Sequence, residues 1–478
     1  MFAPVPLVSV SNTQTFPTHL RLAAARYGSE MMGSGMTAVG TLATHARDQC
    51  LAPERVDAPI DATGRYGRMF KLPPLEVDDA LLHRIGGAGG FCDAGEGDDD
   101  AATEAGWPFF GQYVAHDLTA DRSPLRAHAD LGALRNMRSP RANLESLYGG
   151  GPGGSPYLFS RRDPAKLLEN DDDVPRNQEG IALIGDPRND VHALMSQMQV
   201  AFIRAHNRLV DRLREDGVGE GDLFEEARRA LSWHYQWVIV NDLLPRLAGQ
   251  ELVDELVRDG PRYYQPDPDP FIPVEFADAA YRYGHSQIRQ LYQLQRGGPR
   301  WTVFPDLIGF GPIRERRVDW SLLFDVPGRP QAQRSKPIDG RLPRSLIELP
   351  EAITGEVEDE AYRSLAARDL ERGLGTGLPS GEAVARAIGV EPLSPEEVGL
   401  VGQGWVGETP LWLYVLRESA VQRGGDRLGA IGARIVGEVL VGIISRDPES
   451  YLAVDAGWTP SLPGHETRFG LRDILVPA

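Results

Sequence analysis

The stretch VHALMSQMQVAFIRAHNRLVDRL, residues 191–213, decides the fold class. Leu194, Met198, Phe202, Leu209 and Leu213 recur at spacings near 3.6 residues, which places them on one apolar stripe of an α-helix. Similar stripes run through Trp107–Leu118, where Trp107, Phe110, Val114 and Leu118 align, and through Leu223–Leu247 and Phe276–Leu294. Glu382–Ile388 and Arg427–Ile444 complete the helical set. Alternating strand patterns are scarce, so the expected fold is mainly α with few or no strands. Gly86–Asp100, Gly149–Pro156 and Pro261–Pro273 read as loops from their glycine and proline content, and Glu169–Asp173 opens another. No repeat of fixed period occurs. No long linker separates the stripes, so a single large helical domain is expected over residues 65–460. An extension, 1–64, precedes it and a C-terminal tail, 461–478, follows.

The 478 residues are 41% hydrophobic and 25% charged, an ordinary globular balance with room for a large core and a sizeable cofactor. With 50 basic and 68 acidic residues the formal charge is −18. That argues against a general nucleic-acid binder, which needs a basic face, and gives no attraction to anionic lipid. Cys50 and Cys92 are too few for a disulfide framework and leave one bridge open. The N-terminus has no basic segment followed by an apolar core, so no signal peptide is read. The expected location is cytoplasmic, or outside by a non-classical route. The longest apolar run, Leu428–Ile444, carries Arg434 and Glu438 and reads as a buried, glycine-rich helix rather than a membrane span.

Three segments carry chemistry. In GWPFFGQYVAHDLTAD, residues 106–121, Gln112 and His116 are four apart and share a helix face, while Asp117 points about 100° away. In GDPRND, residues 185–190, Arg188 stands just before the helix that follows. In FADAAYRYGHSQIRQ, residues 276–290, His285 has Arg282 one turn before it and Arg289 one turn after. A histidine ligand between guanidinium groups suits a flat anionic cofactor. Singly, each residue has a plainer role: a core histidine bonded to a carbonyl, or a capping arginine. His206 and His234 are read as structural.

Together the three segments resemble the peroxidase–cyclooxygenase superfamily of animal-type haem peroxidases. FGQYVAHDLT is similar to that family's distal segment, GDPRND with RAHNRL to its catalytic-arginine segment, and RYGHSQIR to its proximal-histidine segment. GRMFKLPPL (67–75), RVDWSLLFD (317–325), GLPSGEAVA (377–385) and TPLWLYVLRES (409–419) extend the likeness, the last few most like bacterial members. The resemblance implies a haem peroxidase that reduces hydrogen peroxide and oxidises a small organic donor or a halide through a ferryl haem. It implies His116 as distal histidine, Gln112 as its neighbour, Arg188 as distal arginine and His285 as the axial iron ligand. Arg282 and Arg372 would attend the propionates. Asp369 takes the position of an asparagine that normally faces the iron-bound histidine, and a carboxylate there makes the imidazole more electron-rich.

The resemblance also bears on haem linkage and on calcium. Ala115 removes one of the two ester links of mammalian members, so the cofactor is haem b, non-covalent or joined once through Asp190, with Val191 as the other candidate counterpart. A calcium site is implied behind the distal helix, with Asp117, Ser139, the carbonyl of Arg141, Asn143 and Glu145 as candidate ligands. This is an oxygen-only set, with Asn143 where the family carries an aspartate. The alternative within the family is a fatty-acid dioxygenase, whose radical tyrosine would stand at Arg282; Tyr283 is one residue later. From other classes, His116–Asp117 could be the dyad of a metal-dependent phosphohydrolase, with His83 and His192 as spare ligands, or the chain could be a haem-less structural relative. The pattern carries no signal for the reducing substrate or the oligomeric state.

Overall fold

The structure is a computed structural model that describes residues 64–97, 99–120, 131, 134, 136–313, 317–465 and 468–477. The expected N-terminal extension and Cys50 lie outside the described residues, apart from Gly64 at the boundary. Several helices start where their sequence supplies a cap or a proline. The Asp78 carboxylate accepts the Ala80 N–H (2.9 Å) and opens α1 (Asp79–Gly86). Pro108 occupies the first turn of α2 (Trp107–Leu118), where its missing N–H costs nothing. The ring of His192 caps α3 (Ala193–Glu215) by accepting the Met195 N–H at 3.3 Å.

The helix α4 (Leu223–Val238) continues through a wider π turn, Ile239–Leu243, into Leu244–Ala248, so the stripe expected over Leu223–Leu247 is one continuous rod. Next come α5 (Gln250–Asp259), α6 (Leu365–Gly375), α7 (Gly381–Ile388), α8 (Leu411–Arg423) and α9 (Ala430–Arg446). Among the described residues strands are few and short. β1 (Arg65–Gly67) pairs in parallel with β2 (Phe271–Pro273), and β3 (Tyr292–Gln293) pairs antiparallel with β4 (Arg300–Trp301). The mainly helical expectation holds.

α9 is the centre of the core. Ile431, Ile435, Val439 and Ile443 are buried, and so is Glu438, whose carboxylate accepts the backbone N–H groups of Tyr263 and Tyr264. That arrangement explains how an apolar run tolerates an acid: the charge satisfies two amides of the loop lying against it. No helix among the described residues is long and apolar enough to cross a membrane.

One expectation is corrected. Phe276–Leu294 is not one helix. After a single turn, Val274–Ala277, Ala279 leaves helical dihedrals (φ −137°, ψ −83°), and Ala280–His285 is a tighter 3₁₀ turn that runs on toward β3. Arg282 Nε folds back onto the Ala277 carbonyl (2.9 Å), an acceptor that a continuing α-helix would have used itself. The described part of the C-terminal tail, 461–465 and 468–477, packs onto the domain. It carries α10 (Leu471–Leu475), and Leu471, Ile474 and Leu475 are buried in the main core.

Candidate active site

α2, the Arg188–His192 segment and the Ala280–His285 turn line a cleft of about 1240 Å³ that opens to solvent. Gln112, His116, Arg188, Arg282 and His285 all line it, so residues 169 positions apart in the chain (116 and 285) meet at one cavity. Its walls are completed by apolar side chains, among them Phe276, Phe304 and Leu346.

His116 is buried, and its protonation is fixed by a relay that sequence reading missed. Nδ1 lies 2.8 Å from Asn189 Oδ1, and Asn189 Nδ2 donates to Gln199 Oε1 at 2.9 Å. With its amide nitrogen committed to Gln199, Asn189 offers oxygen to the ring. Nδ1 therefore carries the proton, and Nε2 is left as a bare lone pair. Burial, reinforced by the neighbouring Arg188 cation, pushes the His116 pKa down to about 3, so the ring is neutral across the physiological range. Asn189 directly follows Arg188 in GDPRND, which was the available signal.

Arg188 is held by Asp186. The carboxylate accepts Nε at 3.0 Å and Nη2 at 2.7 Å, while Nη2 also donates to the His116 carbonyl at 2.9 Å. Burial alone would raise the Asp186 pKa, yet Arg188 and Arg138 hold it well below the usual carboxylate range. Gln112 is oriented by a residue not assigned to the site from sequence. His192 lines the same cavity, its Nδ1 accepts the Met195 N–H, and so its Nε2–H donates to Gln112 Oε1 at 3.1 Å. Gln112 thus keeps its amide N–H groups for the cavity. Burial also pushes His192 down to about 3.

Across the cavity, His285 Nδ1 lies 2.5 Å from Asp369 Oδ2, and Arg282 Nη1 donates to Asp369 Oδ1 at 2.8 Å. The 3₁₀ turn explains this sharing: residues three apart eclipse, so Arg282 and His285 stand on one face and meet one carboxylate. Asp369 is fully buried, which alone would raise its pKa, but His285 and Arg282 hold it low and ionised. Arg282 also donates to Asp278 (3.3 Å). Arg372, one turn beyond Asp369 on α6, is not among the residues lining the cavity.

A family profile described as animal haem peroxidase matches residues 126–303, a span that includes Arg188 and His285. The chain is 26% identical over 342 residues to chorion peroxidase of Drosophila melanogaster, covering 66% of this chain and 39% of that protein. It therefore spans about two fifths of that relative's length. Over that span the chain resembles the animal haem peroxidases of the peroxidase–cyclooxygenase superfamily. Among solved structures, peroxidase A of Dictyostelium discoideum shares the fold with a TM-score of 0.60 at 14% identity, over 84% of this chain and 92% of that one. The fatty acid alpha-dioxygenase of Oryza sativa does so with a TM-score of 0.62 at 15% identity, over 96% and 95%.

The cavity suits the haem of this superfamily. Asp369 occupies Nδ1 of His285 and leaves Nε2 for an iron, and the apolar walls suit a macrocycle. Asp190 does not fit a covalent link. Both its oxygens are taken by Arg176 (2.7 Å each), Ser196 donates to Oδ1 at 2.9 Å, and it is Val191 that lines the cavity.

The loop expected to hold calcium satisfies its oxygens from within. Asp117 accepts the Leu144 and Ser146 N–H groups (2.9 and 3.0 Å), and Asn143 Oδ1 accepts the Glu145 N–H (3.2 Å). Ser139 Oγ donates to Glu145 Oε2 (2.8 Å), and the Arg141 side chain pairs with Asp447 (3.5 Å). Among the described residues no group of three or more His, Cys, Asp or Glu is placed to hold a metal. The dyad reading of His116–Asp117 fails on geometry as well, since Asp117 is fully buried against those loop amides. His206 bonds Tyr148 and the Ala165 carbonyl, and His234 bonds the Ala230 carbonyl; both are structural.

Nitrogen-15 NMR of the histidine-labelled protein is expected to show His116 as the Nδ1–H tautomer, with no titration between about pH 5 and 8. A lowered pKa keeps the neutral ring at every pH above about 3. A titration midpoint near 6.5 would contradict the effect of burial, and an Nε2–H tautomer would contradict the relay.

Proposed function

We propose that the protein is a haem peroxidase that reduces hydrogen peroxide and oxidises a small organic donor or a halide. The observation that carries this reading is the bare Nε2 of a neutral, buried His116, set beside Arg188 in the cavity that His285 also lines. Haem b would be held by His285 Nε2 and would supply a redox-active iron; Arg282, expected at its propionates, spends its guanidinium on Asp369, Asp278 and the Ala277 carbonyl.

The chain's own groups then divide the remaining work. His116 Nε2 accepts a proton from hydrogen peroxide entering the cavity and returns it to the oxygen that leaves as water. Acid–base work of this kind is worth about 10²–10⁴-fold. Asn189 keeps the other ring nitrogen protonated, so the proton can only enter and leave at Nε2. Arg188, locked by Asp186, presents fixed positive charge where negative charge develops on oxygen. Gln112 adds amide donors on the same face. On the other side, Asp369 enriches the His285 imidazole, while Arg282 shares the carboxylate and tempers that enrichment.

A dioxygenase of the same superfamily is the second reading. Its support is that Tyr283 lines the cavity, with its hydroxyl 3.0 Å from where a side chain on Gly111 would start. Against it, Arg282 occupies the eclipsing position three before His285 and is committed to Asp369. Oxygen uptake with an unsaturated fatty acid and no peroxide would move the assignment to that reading.

Stopped-flow mixing of haem-loaded protein with peroxide tests the distal roles. His116→Ala and Arg188→Ala should each slow peroxide cleavage, the former by about 10²–10⁴-fold, with the haem still bound. Wild-type rates in either variant remove that residue from the chemistry. Potentiometry tests the proximal role: Asp369→Asn should raise the ferric/ferrous potential, because a neutral acceptor donates less to His285. An unchanged potential means the carboxylate does not act through the ring.

A further inference from the structure

The superfamily resemblance implies calcium behind the distal helix, yet the loop already contains a cation. Arg138 precedes the candidate ligand set, and its side chain is largely buried. Nη1 donates to Glu145 Oε1 (3.2 Å), Nη2 to the Gly185 carbonyl (3.1 Å), and Nε and Nη2 to Asp186 Oδ2 (3.2 and 2.5 Å). Glu145 is therefore bonded on both oxygens, by Arg138 on one and by the Ser139 N–H and hydroxyl (3.0 and 2.8 Å) on the other. Asn143, at the position the family fills with an aspartate, brings no charge and turns its oxygen onto the Glu145 N–H. A calcium ion here would have to displace a guanidinium and sit beside its charge, with Asp117 and Glu145 as the only carboxylates in the set. Calcium binding instead wants several free, anionic oxygens.

We infer that this loop is built to work without calcium, with the Arg138 guanidinium as its resident cation. The same guanidinium shares Asp186 with Arg188, and Arg188 bonds the His116 carbonyl. An unbroken line therefore runs from Glu145 through Arg138, Asp186 and Arg188 to the end of α2. Arg138 is a positioning residue for Arg188. It ties the loop behind the distal helix to the guanidinium in front of it, a coupling made through bonds rather than through a metal. The positioning half of this inference rests on the proposed peroxidase reading; the calcium half does not.

The test begins with unaltered haem-loaded protein. Elemental analysis after dialysis should find far less than one calcium per chain. The melting temperature should be the same with EDTA, without it, and with excess calcium chloride. One retained calcium per chain, a fall in melting temperature with EDTA, or a rise with calcium would each overturn the inference. A double-mutant cycle then tests the positioning role. Arg138→Gln should slow peroxide cleavage at least tenfold in the wild-type background and by less than about twofold when Arg188 is already alanine, because neighbours sharing one partner are not additive. Equal losses in both backgrounds would show that Arg138 does not act through Arg188. If the unaltered protein cleaves no peroxide, it is the proposed function that fails, and the calcium measurements still decide the loop.

Discussion

Each of the two cavity histidines has one ring nitrogen already committed inside the protein. His116 gives Nδ1–H to Asn189, and His285 gives Nδ1–H to Asp369. An imidazole with one nitrogen pinned has a single remaining direction of action, and in both cases that direction is the shared cavity. The rest of the site follows from this constraint. A ring free at both nitrogens would exchange tautomers, and neither a defined proton acceptor nor a defined metal ligand would persist.

The two partners differ in charge. Asn189 is neutral, and the His116 ring is kept neutral by burial and by the nearby Arg188 cation. Asp369 is an anion, shared between the His285 ring and Arg282. Fixed charges act strongly where burial keeps screening solvent away, as it does at Asp186 and Asp369. Sub-ångström placement therefore matters, and both charged groups are braced: Arg188 by Asp186, and Asp369 by Arg282.

Much of this was legible in the chain. Helical stripes located α2, α3, α4, α7 and α9, because burial of one face writes a 3.6-residue period into sequence. The stretch around His285 was harder. Its apolar spacing resembles a helix, but side-chain capture of the Ala277 carbonyl by Arg282 tightens it into a 3₁₀ turn, and no period announces such a bond. Gln112, His116, Arg188, Arg282 and His285 were readable from motif and order, and they do meet. Asn189, Gln199 and His192 were not, since a relay is defined by which polar atoms face each other after folding. Asp190 failed for a related reason: Arg176, fourteen residues earlier, claims its carboxylate. Arg138 has no motif to mark it; its place is defined by four bonds that form only on folding.

The most direct test of the central claim is the resonance Raman spectrum of the haem-loaded ferrous protein. The account predicts a five-coordinate haem with one iron–imidazole stretching band, present in the wild type and in His116→Ala and lost in His285→Ala. A band that survives His285→Ala, or a six-coordinate spectrum with both imidazoles bound, would contradict it.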